Sequence, residues 1–258
     1  MKTVILAGGL PSTIEGRDEK IPKPMAAIGE RPLLWHIMKL FSHYGCNDFI
    51  ICAGFRSDII KEYFLNYYVY SSDITVHLQS NKVDIHNKVT EPWKVSIINT
   101  GLTTATAERI YRILSMVDDD FFVVYGDCIS NVDVSALEKC HAASGKLMTV
   151  VLAKPGGRNS IVSVNASGEL LPGRNIDAGK TASWVNACIM AVSPKVFGQA
   201  PQPGEKFETE IVHKLAARSQ VNTYRHDGFW RPIETMRDKD QLQAMWDAGK
   251  PPWKIWKD

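Results

Sequence analysis

Residues 3–7, Thr-Val-Ile-Leu-Ala, form an unbroken apolar run that stops at Gly8-Gly9. A continuous run of this length predicts a strand buried on both faces, as in a parallel sheet. The pattern returns at 48–53, 121–125 and 147–153. Between the first two runs the period changes. Leu33, Leu34, Ile37, Met38, Phe41 and Tyr44 recur at helical spacing, and Gly45 marks the stop. Ser57 predicts the cap of a second helix over 58–68. Further strands are expected at 74–78 and 95–99, and helices over 106–117 and from Asp133 to about Gly145. Strand and helix in alternation predict an α/β fold with a mostly parallel sheet flanked by helices. After Pro155 the rhythm becomes β-rich, with strands at 161–164, 184–192 and 221–224 and a turn at Asn165-Ala166-Ser167-Gly168. Helices are expected only at 208–217 and 237–248. No repeat or linker interrupts the chain, so one domain spanning residues 1–258 is expected.

Between Leu10 and Pro32 lies a long polar segment with prolines at 11, 22, 24 and 32, which reads as loop. Loops of this length inside a compact fold usually carry function.

Composition narrows the class. Hydrophobic residues at 45% and charged residues at 22% exclude disordered, collagenous and coiled-coil chains. Lys+Arg 30 against Asp+Glu 28 leaves +2, with no basic cluster, so no nucleic-acid footprint is predicted. Five cysteines, an odd number without C-x-x-C, argue against a disulfide framework or zinc site and fit a reducing cytoplasm. No stretch approaches the roughly 18 apolar residues of a membrane span.

Three strand ends carry candidate chemistry, and in open α/β sheets ligands bind beyond the carboxyl ends of strands. At the first, Gly8 and Gly9 let backbone N–H groups approach an anion, with Lys23 as a point charge; the alternative is a tight turn and a solvated lysine. Neither the P-loop pattern nor G-x-G-x-x-G is present, which excludes the usual dinucleotide reading. At the second, Tyr125-Gly126-Asp127, the carboxylate either holds a divalent cation against phosphate or caps the following turn. At the third, Trp230-Arg231-Pro232-Ile233-Glu234-Thr235, Glu234 is either a second carboxylate on that metal, or an exposed loop residue or N-cap acid for the last helix. His36 and His43 read as packing or surface residues, and Trp253 and Trp256 as a docking tail or oligomer contact.

These places coincide with one family. The segments VILAGG (4–9), IPKPM (21–25), LLWHIMKLFSHYGCNDFIIC (33–52), YGD (125–127), GFWRPIETMRDK (228–239) and GKPPWKIW (249–256) resemble the sugar-phosphate nucleotidylyltransferases, in particular their cytidylyltransferase branch. The resemblance implies the Rossmann-like fold of the nucleotide-diphospho-sugar transferases. It implies joining of an NTP, CTP by resemblance, to a sugar 1-phosphate, glucose 1-phosphate by resemblance, with release of pyrophosphate for nucleotide-sugar and surface polysaccharide synthesis. Leu6, Ala7, Gly8, Gly9, Lys23, Thr100, Gly101, Thr104, Thr106, Arg109 and Gly126 map onto the nucleotide site, and Lys23 and Asp127 onto the catalytic pair. Asp127 and Glu234 map onto Mg²⁺ ligands, and Asn186 and Trp230 onto sugar contacts. The resemblance also implies a cytoplasmic homo-oligomer.

The departures from the family pattern fall on the site. Where the family's loop reads G-G-x-G-[TS]-R, this chain has Gly8-Gly9-Leu10-Pro11-Ser12-Thr13, losing a glycine and the arginine that clamps the triphosphate. Ala107 and Glu108 replace glycines that lie against the base, so Glu108 is expected to block the base or bring a carboxylate near the phosphates. Cys128 replaces a glycine and Glu234 an aspartate. No E-K-P motif is visible in 171–182, where Arg174 and Lys180 are the candidate substitutes for its lysine. The alternative to an enzyme with altered substrates is therefore an inactive member acting as a binding, regulatory or assembly subunit.

Overall fold

The computed structural model describes residues 1–9, 21–86, 90–154, 161–162 and 184–257. The chain opens with β1 (Lys2–Ala7), a small hairpin of β2 (Ala27–Ile28) and β3 (Arg31–Pro32), α1 (Leu33–His43) and β4 (Asp48–Ala53). Then come α2 (Ser57–Leu65), α3 (Tyr67–Tyr70), the hairpin β5 (Asp73–His77) and β6 (Lys82–His86), β7 (Lys94–Asn99) and α4 (Thr106–Arg112). β8 (Phe121–Tyr125), β9 (Cys128–Ser130), α5 (Val134–Ser144), β10 (Met148–Ala153), β11 (Ile161–Val162) and β12 (Trp184–Val192) follow. The chain continues through α6 (Val212–Ala216), β13 (Val221–His226), β14 (Trp230–Pro232) and α7 (Met236–Asp247).

The main sheet has the order β13-β10-β12-β8-β1-β4-β7, with β11 paired to β12. β8, β1, β4 and β7 run parallel, whereas β12 is antiparallel to both its neighbours. The apolar runs are buried on both faces. Ile5, Ile51 and Phe122 point to one core under α1 and α7, while Val4, Leu6 and Val123 point to a second core under α4 and α6. All four parallel strands end on the same side of the sheet, so the loops after β1, β8 and β7 meet there. Among the described residues no helix is long and apolar enough to cross a membrane, and all five cysteines are free.

Several expectations shift. Ser57 does not cap α2; it is the first helical residue, and Arg56 precedes it in the left-handed region at φ +46°. That helix breaks at Asn66, so the predicted 58–68 segment is two helices. The strand expected at 74–78 pairs only with β6, in a hairpin separate from the main sheet. The helix expected over 106–117 ends as a 3₁₀ turn, Leu114–Met116. The helix expected at 208–217 starts as a π-helical turn, Phe207–Ile211. The turn at 165–168 lies outside the described residues.

The aromatic tail folds onto its own chain. Trp253 and Trp256 are buried beside His36 of α1, with buried Trp35 and partly buried Trp246 also against its ring. The tail reading therefore resolves to an intramolecular dock, and these tryptophans offer no surface for the homo-oligomer that the resemblance implies. His36 donates from Nε2 to the Ile28 carbonyl at 3.0 Å and accepts from Trp253 Nε1 at Nδ1, 3.4 Å away, an arrangement only the neutral ring can make. Burial lowers its pKa to about 4, with the nearby charges of Arg31 and Lys254 adding to the shift. A histidine held neutral in the fold but free to protonate in the unfolded chain costs nothing above pH 6.5 and destabilises progressively as pH falls from there toward 4. The expected loss from this group reaches about 3 kcal/mol. Urea midpoints at pH 7.5, 6.5, 5.5 and 4.5 should fall in that window, and the fall should be shallower in His36→Asn.

Candidate active site

Strand register builds the site. β1 and β8 lie side by side with Leu6 opposite Tyr125, and the Gly126 N–H donates to the Leu6 carbonyl at 3.0 Å. The glycines after β1 and the aspartate after β8 therefore emerge together. They line a cleft of about 830 Å³ with Leu6, Ala7, Pro22, Lys23, Pro24, Thr104, Thr106, Arg109, Lys206 and Glu208 among its walls. A Cβ at Gly126 would lie 2.7 Å from Pro24 Cγ, so the backbone there passes too close to the Lys23 turn for any side chain.

Lys23 opens a 3₁₀ turn, Lys23–Met25, with Pro22 and Pro24 fixing its entry. Its ammonium lies 3.4 Å from Asp127 Oδ2, with both side chains about one-third exposed (31% and 38%). The pair joins residues 104 positions apart. No backbone N–H bonds the Asp127 carboxylate among the described residues, so the capping alternative finds no support; only its carbonyl does so, accepting from Ile233 at 2.7 Å.

That bond fixes Glu234. β14 pairs with β9, Pro232 opposite Cys128, and so carries Ile233 alongside Asp127. Glu234 is exposed and is not the cap of α7, which is closed by a capping box between Thr235 and Asp238. Burial pushes the Cys188 thiol up, and the charges of Asp127, Glu208 and Glu234 push it further. Among the described residues no three His, Cys, Asp or Glu side chains form an all-protein metal cage. Carboxylates such as these are the ligand type that Mg²⁺ takes, one or two at a time with water and substrate phosphate; Asp127 lines the cleft and Glu234 does not.

Arg109 forms the back of the cleft and is only 4% exposed. Its Nη1 donates to Thr100 Oγ1 and the Gly101 carbonyl, both at 2.7 Å, and more weakly to Ala53; Nη2 donates to Leu102 at 3.1 Å. These acceptors are all neutral, and burial lowers the guanidinium pKa. Gly8 is required here because a Cβ would sit 2.1 Å from Arg109 Nη1. The need for glycine at 8 thus comes from an internal cation at least as much as from an incoming anion.

Of the residues singled out from sequence, Leu6, Ala7, Gly8, Gly9, Lys23, Thr104, Thr106, Arg109, Gly126 and Asp127 share the cleft. Thr100, Gly101, Asn186, Trp230 and Glu234 are not in its described wall. Thr100 and Gly101 stand behind it as acceptors for Arg109. Asn186 Oδ1 accepts from the Cys188 N–H at 2.8 Å, holding an irregular turn of β12 where Cys188 sits at φ +57°. Trp230 is buried, its Nε1 donating to the Ala187 carbonyl at 2.9 Å. Glu108 does not enter the cleft; it pairs with Arg112 one turn along α4. Positions 10–13, 174 and 180 lie outside the described residues.

Sequence reading passed over Glu208. Its Oε2 accepts from Thr106 Oγ1 at 2.7 Å and from the Tyr125 hydroxyl at 2.5 Å, and the Thr106 hydroxyl accepts in turn from the Phe207 N–H at 2.8 Å. This network ties the π-helical turn to the start of α4 and the end of β8. Its sequence signal was an acid at the head of an amphipathic segment, which looks like any solvated face.

A family profile described as nucleotidyl transferase matches residues 2–160. The chain is 38% identical over 258 residues to glucose-1-phosphate cytidylyltransferase of Salmonella typhimurium, covering 99% of this chain and 100% of that one. It is 35% identical over 267 residues to a probable glucose-1-phosphate cytidylyltransferase of Bacillus subtilis, again over 99% and 100% of the two. Among solved structures, a putative glucose-1-phosphate thymidylyltransferase from Bacillus anthracis superposes with TM-score 0.76 at 15% identity, covering 100% of this chain and 97% of that chain.

Proposed function

Because the chain belongs to the sugar-phosphate nucleotidylyltransferases, we propose that it transfers the nucleotidyl group of CTP to glucose 1-phosphate. A sugar-phosphate oxygen attacks the α-phosphorus, the bond to the β-phosphate oxygen breaks, and pyrophosphate leaves. Such a reaction asks little covalent work of the protein; positioning and charge neutralisation dominate.

The observation that carries this reading is the meeting of Gly8, Gly9, Lys23 and Asp127 in one cleft at the ends of parallel strands. In the proposal, backbone N–H groups of Gly8 and Gly9 approach the phosphates and the Lys23 ammonium neutralises them. To do so Lys23 leaves Asp127, to which only a long ion pair, about one-third exposed, joins it. Asp127 and Glu234 would hold Mg²⁺, which when bound supplies charge neutralisation on the phosphate oxygens. Thr104 and Arg109 form the wall toward the base. The same reading takes residues 1–258 as one domain and the product as a nucleotide sugar.

Pyrophosphate release should be measured with CTP, UTP, ATP and GTP against a panel of sugar phosphates in Mg²⁺. CTP with glucose 1-phosphate is expected to give the highest kcat/KM. No turnover with any pair, persisting in the Pro11→Gly, Thr13→Arg double variant, would overturn the catalytic reading in favour of a binding or regulatory role.

A further inference from the structure

Two phosphorylated substrates bring several negative charges into one cleft. Among the described residues its walls hold three cations, Lys23, Arg109 and Lys206, and two anions, Asp127 and Glu208. The cations are not equivalent. Lys23 is paired with Asp127. Arg109 is buried, with its guanidinium held by carbonyls and a hydroxyl of the surrounding loops. Lys206 is exposed, and no carboxylate lies within ion-pair distance of its ammonium among the described residues.

The backbone around Lys206 is held by hydrogen bonds on both sides, and the residue is exposed. Gly204 turns the chain at φ +81°. Glu205 is buried, its carboxylate accepting from the Gln202 N–H at 2.9 Å and pairing with Lys214. The Lys206 N–H donates to Glu210 Oε2 at 2.9 Å, and Phe207, fully buried, donates its own N–H to Thr106 Oγ1. A lysine anchored on both sides is delivered to one place in the cleft, and its ammonium is free to reach an anion there. The side chain itself is a flexible four-carbon stem with a strongly hydrated point charge, suited to a phosphate oxygen.

We infer that Lys206 is a phosphate-binding residue of this cleft, contacting a phosphate of the nucleotide or of the sugar phosphate. The inference rests on the proposed function for the identity of the substrates, and on charge and position alone for the phosphate contact. It makes the π-helical turn part of the binding wall rather than an outer support.

Calorimetric titration of inorganic pyrophosphate, CTP and glucose 1-phosphate into the wild type, Lys206→Ala, Lys206→Gln and Lys206→Arg proteins tests it, each at low and high salt. Lys206→Ala and Lys206→Gln are expected to weaken at least one ligand about tenfold at low salt and less at high salt, with Lys206→Arg retaining most of the affinity. A loss on pyrophosphate and CTP assigns the contact to the nucleotide; a loss on glucose 1-phosphate alone assigns it to the sugar phosphate. Unchanged affinity for all three ligands in Lys206→Ala overturns the inference, as does a wild type that binds none of them. A wild type that binds phosphate through Lys206 yet never releases pyrophosphate sinks the catalytic reading and leaves this one standing.

Discussion

Replacing Asp127 with asparagine should lower kcat by about 10²–10³-fold, the range seen when one preorganised electrostatic group is removed from a transition state. The melting temperature should stay nearly unchanged. The carboxylate's described partner is Lys23 at 3.4 Å, a partly exposed pair of the kind that contributes about 0–1 kcal/mol. The bond that organises the backbone here runs from the Ile233 N–H to the Asp127 carbonyl, which asparagine keeps. Steady-state pyrophosphate release and thermal unfolding of the same preparation separate the two effects. A large drop in melting temperature with a proportionate loss of activity would mean that the carboxylate holds the turn and not the substrate complex.

Trp253→Ala should have the largest effect on stability, about 3–5 kcal/mol, as for other fully buried aromatic side chains. Trp253 is fully buried between Trp246, Phe229 and His36. Its removal opens a cavity and also leaves His36 Nδ1 without its donor. Urea unfolding measures the change. Trp253→Phe should restore much of the packing and none of the hydrogen bond. A loss below about 1 kcal/mol in Trp253→Ala would show that the tail merely rests on the core.

Of the parallel strands, β1, β4 and β8 were legible because they are buried on both faces, and such strands announce themselves as apolar runs, whereas β7 at the sheet edge is only partly buried. Ile5, Ile51 and Val124 had no other place to go. The β5–β6 hairpin was half legible. Its first strand shows the pattern, but every residue of that strand is exposed, and its polar partner carries no apolar run to betray it. Local capping misled at Ser57 because the turn is made instead by Arg56 in the left-handed region, a choice imposed by the path from Gly54 rather than by propensity.

Gly8 and Asp127 were expected together because they follow neighbouring strands, and the turn at Lys23 joins them in one cleft. Glu108 was misread because sequence does not say which side of a helix faces the cleft, and Arg112 one turn later draws it outward. Glu208 and Lys206 were invisible for a different reason. Their segment is more than 80 residues from the strand it lines, as the Tyr125–Glu208 contact measures, and no local pattern carries that information.

The contact between His36 and Trp253 spans 217 residues of chain. At a synthesis rate of about 5–20 residues per second, roughly 10–40 s separate the emergence of α1 from that of the tryptophan that covers it. During translation α1 therefore leaves the ribosome well before Trp253 and Trp256, the tryptophans that pack on His36, have been made.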